Sequence, residues 1–325
     1  MSITSSESDG VREKNGHWKP SYPAGFAPMY ERPFRCKKFL KWLFGWGGYL
    51  WPSNALYAVL AWVAFTYLQP GIEAYAQPGV GDMLILLARN VALIIIVYGF
   101  QHIVLYGLKL HGRNRKYNPQ WPAKDAKRFL FRNQNLDNMF WTIVSGGIVW
   151  TAYEVLYFWM VANGWVATLS WSTSPVLIVA IFLLIPFYRE SHFSFVHRLI
   201  HWKPLFRVVH KIHHKNYNPA PFSGMAMSPL EHILYFSHFL IFFIVPVHPI
   251  HYVFSGQLAG LTPAKGHTGF EPPLFKGLMP TGDYFHYLHH KYVSVNFGTP
   301  TVPWDRWLGK YYDGTTPYKS AKSKT

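Results

Sequence analysis

Long apolar segments separated by short polar ones dominate the first part of the chain. Four of them are candidates for bilayer crossings, each of which needs roughly 20 residues. They cover residues 53–69, 83–108, 138–161 and 175–187, of which the last is the shortest. A fifth stretch, residues 232–261, is interrupted by Pro246 and Pro249 and predicts a re-entrant or interfacial hairpin, or two tight crossings. The pattern predicts an all-α integral membrane protein with four transmembrane helices plus this hairpin.

Positive charge lies beside these apolar segments and predicts their orientation. Residues 1–52 and the loop 109–132 contain eight Lys or Arg residues each, whereas the loops 69–82 and 163–174 contain none. Because Lys and Arg accumulate on the cytoplasmic side of a membrane protein, we expect both termini and the 109–132 loop to be cytosolic.

Four regions follow from this topology. They are a basic cytosolic N-terminal region (1–52), a four-span region (53–188), a cytosolic helical cap that carries the histidines (189–317) and a disordered basic tail (318–325). The first region lacks the apolar core of a secretory signal peptide, so we expect insertion to begin at the first internal apolar segment.

Composition narrows the class of protein further. Only 14% of the residues are charged, against roughly 25% in soluble proteins. The net charge of +16 would suit nucleic-acid binding, but no nucleic-acid recognition motif accompanies it. The single cysteine, Cys36, excludes an intrachain disulfide and a multi-cysteine metal site.

Two charged residues lie inside predicted spans, Arg89 in the second and Glu154 in the third. Charge inside a membrane is unfavourable unless it is paired or reaches the interface. Interfacial placement is the simpler interpretation, and a structural or substrate-facing ion pair is the sharper one.

Histidines are concentrated in the cap, where 14 of the 17 lie between His192 and His290. They form one H-x-x-x-H pattern and two H-x-x-H-H patterns, at His197/His201, His210/His213/His214 and His286/His289/His290. Residues three and four apart share a helix face, so their imidazoles can converge on a metal. Imidazole suits Fe, Zn, Cu and Ni alike, so spacing does not identify the metal. Eight histidines exceed what one ion needs, which favours two; surface histidines and a structural zinc site are the alternatives.

The motifs carry a family resemblance over residues 188–313. VHRLIH, VHKIHHKNYNPAPFS, SPLEH, GHTGFE, FHYLHHKYVSVNFGT and PWDRWLG resemble, in order, the fatty acid hydroxylase and sterol desaturase superfamily. That resemblance implies a membrane enzyme with a histidine-bound di-iron centre on its cytosolic side. Such enzymes use O₂ and externally supplied electrons to hydroxylate or desaturate lipids.

The resemblance also implies a set of metal ligands. The eight box histidines match the family, and His267 in GHTGFE matches a ninth ligand. Relatives commonly carry His where this chain has Ser228, so either His232 replaces that ligand or the site uses one fewer. Glu190 and His192 are the candidate catalytic residues. We expect Glu190 to orient a ligand imidazole, and His192 to be a ligand, a partner of a ligand or a packing residue.

The predicted function is O₂-dependent hydroxylation, or desaturation, of a C–H bond in a fatty acyl or polar lipid. Sterol oxidation is the alternative substrate class, and a non-catalytic metal-binding or metal-transport membrane protein is the alternative of another kind. Transporters place ligands near the bilayer midplane, whereas these boxes lie in polar, basic sequence. A zinc hydrolase would need a motif such as H-E-x-x-H, which is absent.

The implied partners and location complete the prediction. The chain has no recognisable haem or flavin motif and too few cysteines for an iron–sulfur cluster, so electrons are expected from a separate electron-transfer protein. The expected location is a bacterial inner membrane, with the endoplasmic reticulum as the alternative.

Overall fold

The computed structural model describes residues 10–272, 274 and 282–318. The described part is mostly helical, as predicted, with one short two-stranded antiparallel sheet, β1 (Gly10–Arg12) and β2 (Trp18–Pro20). Apart from Tyr318, the predicted disordered tail lies outside the described residues.

Helices account for the rest of the regular structure. The longer ones in the first part of the chain are α1 (Cys36–Phe44), α2 (Ser53–Tyr67), α3 (Val80–His102), α4 (Gln134–Phe140), α5 (Gly147–Ala162) and α6 (Pro175–Ile200). Those that follow are α7 (Lys203–Leu205), α8 (Lys211–His214), α9 (Pro229–Phe236), α10 (Pro249–Gly266), α11 (Tyr284–Tyr292) and α12 (Trp304–Trp307). The π-helical turns Ile103–Gly107, Trp141–Gly146 and Phe206–His210 extend α3, join α4 to α5 and precede α8.

Within the part of the chain that the structure describes, three helical segments are long and apolar enough to cross a membrane. They are Val80–Gly107, Gln134–Ala162 and Pro175–Ile200, with 28, 29 and 26 residues. The first predicted span corresponds to α2, which has 15 residues. At 1.5 Å per residue it is about 22 Å long, shorter than a hydrocarbon core of roughly 30 Å. The four-span topology therefore stays a prediction.

Helix α6 crosses the boundary that hydropathy placed at residue 188. The apolar run ends near Phe187, but the helix continues to Ile200 and carries His197 in its last turn. Arg189 on this extension is mostly buried, so the polar residues face the protein interior rather than ending the helix. The first histidine pattern is thus rigidly connected to a membrane-spanning segment.

The apolar stretch 232–261 forms a helical hairpin packed inside the bundle. Tyr235 on α9 donates to the carbonyl of Ala259 on α10 at 2.8 Å, and Phe239 stacks on Tyr252 with ring centroids 4.2 Å apart. Between the helices, Val247 pairs with Thr168 in the loop between α5 and α6. The hairpin tip therefore reaches the end of the bundle opposite to His197.

Helix α10 is the central helix of the bundle and contacts α2, α3, α5 and α6. Small residues allow this close packing. A Cβ atom added at Gly260 would lie 2.4 Å from the Trp150 indole, and one at Gly256 would lie 2.7 Å from it. Glycine at both positions lets the buried Trp150 ring rest directly against the α10 backbone.

The N-terminal region packs on the C-terminal one. The backbone N–H groups of Ala24 and Ala27 donate to the carbonyls of Asp313 and Pro300 at 3.0 and 2.9 Å. The Phe26 ring packs edge-on against Phe285 on α11, with centroids 5.5 Å apart. The segment that precedes α1 therefore covers the helix that carries the third histidine pattern.

Candidate metal centre

Nine of the ten predicted ligands converge at one end of the helical bundle. His197 is near the end of α6, and His201 caps that helix. The short helix α8 and the π-helical turn before it present the second pattern, and α11 presents the third. His267 is the C-cap residue of α10, which brings the central helix into the same site.

The nine imidazoles form two groups, and within each group the ligand nitrogens lie within 4.8 Å of one another. The first group is His197, His201, His210, His214 and His289. The second is His213, His267, His286 and His290. Two groups fit the expectation of two metal ions.

Each H-x-x-H-H pattern contributes to both groups, which spacing alone does not indicate. Histidines four residues apart stay together: His210 with His214 in the first group, and His286 with His290 in the second. The remaining member of each pattern points to the other group. The second pattern therefore gives two histidines to the first group and one to the second, whereas the third pattern gives one to the first and two to the second.

The Nδ1 atoms of several ligands are fixed by acceptors outside the groups. His197 Nδ1–H donates to the carbonyl of Phe297 at 2.5 Å, and His289 to that of Val295 at 2.7 Å. His267 donates to Pro263 at 2.8 Å. His210 donates to the Glu231 carboxylate at 2.6 Å. Because a neutral imidazole has one N–H, each of these rings carries its lone pair on Nε2.

The Nε2 atoms face each other across the site. His197 and His210 bring theirs within 3.0 Å, and both rings already use their N–H elsewhere. When Glu231 is a carboxylate, neither ring has a proton to share, so two lone pairs meet and a cation bound between them would make the contact attractive. His289 and His214 repeat the 3.0 Å spacing, and His201 and His214 approach to 3.2 Å.

Burial keeps these rings neutral. It lowers the pKa of His267 and His289 to about 4. Burial, followed by the neighbouring imidazoles, lowers the pKa of five others well below the ordinary value: His210, His213, His214, His286 and His290. Neutral imidazole is the form that binds a metal.

The spacing of the nitrogens fits a transition-metal site. Nitrogens about 2.1 Å from one ion and about 90° apart are separated by about 3.0 Å. The second group shows this separation twice, from His267 Nε2 to the Nε2 atoms of His286 and His290, both 3.0 Å. The residues therefore fit metal ions in both groups, and an all-imidazole donor set suits Fe, Zn or Cu.

Glu231 is the functional residue that sequence reasoning missed. Its carboxyl is buried and holds His210, and among the described residues its Oε2 atom has no hydrogen-bond partner. Burial raises the pKa of this carboxyl, and a cation bound beside it would favour the carboxylate form. The signal was the S-x-x-E pattern of Ser228 to Glu231, typical of a helix N-terminus.

Ser228, which stands where relatives commonly carry His, has a structural role of its own in this chain. Its hydroxyl accepts the Glu231 N–H at 3.1 Å and donates to the carbonyl of Val209 at 2.7 Å. It therefore begins α9 and ties this helix to the turn that carries His210. Ser228 positions Glu231 beside His210.

His232, the proposed tenth ligand, lies outside both groups. Its Nδ1 atom is 2.8 Å from the Ser145 hydroxyl, and its Nε2 atom is 3.2 Å from the carbonyl of Met225. One helical position beyond Glu231, the ring points away from the imidazoles towards the π-helical turn before α5. Both nitrogens have protein partners there, so the replacement expected for Ser228 is not seen among the described residues.

Glu190 and His192 also lie apart from the ligand nitrogens. Glu190 accepts a hydrogen bond from the Thr299 hydroxyl and lies 3.6 Å from the Arg189 guanidinium. His192 lies 3.0 Å from the Ser237 hydroxyl. Among the described residues, Glu231 rather than Glu190 bonds to one of the nine imidazoles, that of His210.

A cavity of about 540 Å³ opens onto both groups. Five ligand histidines line it, and Phe193, Tyr235 and Leu258 supply apolar wall. Arg189 and Glu190 add a charged pair. The volume lies within the roughly 300–1,000 Å³ typical of small-molecule sites, so the cavity can hold one organic substrate beside the metal ligands.

Comparison with known proteins agrees with this geometry. Residues 178–310 match the family model described as fatty acid hydroxylase. The chain is 29% identical over 136 residues to the Delta(7)-sterol 5(6)-desaturase of Saccharomyces cerevisiae, covering 42% of this chain and 36% of that protein. It is 27% identical over 156 residues to the lathosterol oxidase of Homo sapiens, covering 46% and 52%.

The matched part spans about a third of the length of the yeast relative and about half of the human one. The family-model match, residues 178–310, contains all nine converging histidines and Glu231. No solved structure matches the chain.

Proposed function

We propose that this chain is a di-iron oxidoreductase of the fatty acid hydroxylase and sterol desaturase superfamily, because residues 178–310 match the family model described as fatty acid hydroxylase. It uses O₂ and external electrons to hydroxylate or desaturate a C–H bond of a membrane lipid. The observation that carries the proposal is that nine histidines form two groups at the wall of the cavity, with the ring nitrogens converging within each group.

Each part of the chain has a defined task in this reaction. When bound, two iron ions would supply the redox chemistry that activates O₂. The nine histidines would hold the ions, and the outward Nδ1–H bonds fix the ring orientations in advance. Glu231 raises the basicity of the His210 imidazole, as acceptors behind metal-bound histidines do. The buried walls exclude water from the reacting carbon.

Two substrate classes remain in the proposal. The sequence analysis favours a fatty acyl or polar lipid, whereas the relatives' names, a Delta(7)-sterol 5(6)-desaturase and a lathosterol oxidase, favour a sterol. The cavity is consistent with either class, because apolar walls and the Arg189–Glu190 pair would receive a lipid with one polar group.

Membrane context supports an enzyme over a metal transporter. The ligands lie at and beyond the end of the segment Pro175–Ile200, whereas a transport site is expected near the bilayer midplane. In the proposed orientation this end faces the cytosol of a bacterial inner membrane or of the endoplasmic reticulum. There a separate electron-transfer protein reaches the basic surface, and steering by charge would speed its docking.

Lipid mass spectrometry tests the function directly. The full chain is expressed in hosts that make sterols and in hosts that do not, with ¹⁸O₂ supplied, and total lipids are compared with an empty-vector control. A gain of one ¹⁸O identifies a hydroxylase, and a loss of two hydrogens without ¹⁸O identifies a desaturase. The host in which products appear identifies the lipid class.

A matched pair of histidine variants makes this experiment specific. His213→Ala removes a ligand of the second group and is expected to abolish the product. His248→Asn changes a histidine at the opposite end of the bundle while keeping a residue that can cap α10, and should leave the product unchanged. Unchanged lipids in both hosts with iron-loaded protein would contradict the proposed function.

A further inference from the structure

Helix α1 has two chemically distinct sides. At 100° per residue, its sequence CKKFLKWLF places one apolar side opposite a basic side. The apolar side is formed by Cys36, Phe39, Leu40, Leu43 and Phe44. The basic side is formed by Lys37, Lys38 and Lys41. None of the nine residues of this helix is buried in the protein.

The apolar side is part of a larger exposed apolar surface. Leu40 and Phe44 are 46% and 58% exposed, and the flanking Phe34, Trp46 and Trp51 are more than half exposed. A soluble protein rarely leaves a surface of this kind uncovered, so it points to a contact with a partner or a membrane.

Contacts with a membrane-spanning helix fix the depth of α1. Trp42 packs against Tyr49 with centroids 5.1 Å apart, and Tyr49 packs on Phe187 of α6 at 4.9 Å. The Tyr49 hydroxyl also donates to the carbonyl of Leu183 at 2.5 Å. Leu183 is six residues before Arg189, or about 9 Å along the helix axis. The contacts therefore hold α1 near the level where the apolar part of α6 ends.

The same segment forms one wall of the cavity. Trp42, Gly48 and Tyr49 line it, as do Asn54 and Leu56 at the start of α2. The side of the cavity formed by α1 and its turn thus lies beside the exposed apolar surface. A molecule leaving the bilayer at this level would meet that wall first.

We propose that α1 lies in the plane of the membrane, at the headgroup level of an anionic leaflet, and forms the lipid-facing entrance to the cavity. The lysines contact anionic headgroups, while Leu40 and Phe44 insert among the upper acyl carbons, as in other interfacial amphipathic helices. An acidic protein partner would match the lysines but would leave the apolar side uncovered. A second copy of the chain packed on the apolar side would cover that side but would leave the lysines without an anionic partner. A lipid surface satisfies both sides at once.

The single cysteine makes this proposal directly testable. Cys36 is exposed and lies at the middle of the apolar side. The full-length protein, labelled there with an environment-sensitive fluorophore, is reconstituted into vesicles of phosphatidylcholine and phosphatidylglycerol. Lipids brominated at different acyl positions then report the depth of the label. We expect it about 5–10 Å below the headgroup boundary.

The matched control moves the label to the other side of the helix. In the variant Cys36→Ser/Lys41→Cys the label is expected to be quenched by aqueous iodide and little by brominated lipid. Equal iodide quenching at both positions would overturn the proposal. Short label-to-label distances between copies, measured with spin labels at Cys36 in dilute vesicles, would also overturn it in favour of a dimer.

The charge requirement is tested separately. Replacing Lys37, Lys38 and Lys41 by Gln should reduce the burial of the Cys36 label in phosphatidylglycerol vesicles, because each lysine near an anionic surface contributes to binding. The same label depth in phosphatidylcholine alone, with or without the lysines, would overturn the anionic part of the proposal. None of these measurements uses catalysis, so their failure is distinguishable from failure of the proposed function.

Discussion

Two clusters of buried polar side chains in this protein differ in how their charges and lone pairs are compensated. Between α3 and α5, the Arg89 guanidinium donates to the Glu154 carboxylate at 2.6 Å. The Asn90 amide donates to the same oxygen at 2.6 Å and to the Thr151 hydroxyl at 3.1 Å. Opposite charges meet inside the cluster, so it is neutral without any addition from outside.

The histidine centre has the opposite character. The outward Nδ1 atoms of four of its histidines bond to backbone carbonyls or to Glu231, and the inward Nε2 atoms of His197 and His210 face each other at 3.0 Å. A cation bound between these two nitrogens would make this contact attractive. A self-contained polar cluster indicates a role in stability, whereas a polar cluster that needs an added cation indicates a binding site.

The largest effect is expected when one histidine of the metal centre is removed. His289→Ala takes one of the five nitrogens from the first group, and we expect bound iron to fall and turnover to decrease by more than about 100-fold. Elemental analysis of purified protein and lipid mass spectrometry measure the two effects. Full iron content with normal turnover would show that the first group is not a metal site.

Breaking the Arg89–Glu154 ion pair should lower the stability of the fold without lowering the amount of bound iron. Either Arg89→Met or Glu154→Leu leaves a buried charge without its partner, which destabilises a fold by about 3–5 kcal/mol. Chemical unfolding in detergent micelles measures the effect, and iron per folded molecule should stay unchanged. The double variant should be no less stable than either single one. Strictly additive losses would contradict the pairing.

Hydropathy predicted the long helices because a bilayer crossing requires an uninterrupted apolar run. It gave no information on where a helix ends once its residues are buried by protein, and α6 therefore extends past the predicted boundary to carry His197. Hydropathy also overestimated the length of the first span, because α2 has 15 residues and ends at Tyr67 rather than at residue 69. From sequence alone, interfacial placement is the simpler interpretation of Arg89 and Glu154, because the approach of α3 to α5 that pairs them cannot be read from one sequence.

The family resemblance supplied His267, and histidine spacing identified the other eight residues that the structure brings together, because i, i+3 and i+4 geometry is local. It did not identify which of them share a group, since that depends on how α6, α8, α10 and α11 meet. The same limit explains Glu231 and His232. They are neighbours in sequence, yet their side chains point to different surroundings, one to His210 and one to Ser145.

A smaller effect is expected from the residue behind the ligand. Glu231→Gln keeps the size of the side chain but removes the negative charge beside His210. Loss of such a partner typically weakens metal binding by about 10–100-fold. Metal competition with a chelator of known affinity measures this change, with Glu190→Gln as the matched carboxylate control. Equal weakening in both variants would show that Glu231 has no special relation to the metal.

The smallest expected change is at His232, which separates a histidine of the fold from a histidine of the site. His232→Gln provides a side-chain amide that can bond to both the Ser145 hydroxyl and the Met225 carbonyl. We therefore expect about 1 kcal/mol of lost stability and no change in bound iron. Unfolding and elemental analysis on the same preparation measure both quantities. Loss of iron in this variant, with the fold intact, would mean that the ring moves to the metals on binding, and His232 would then belong with the nine.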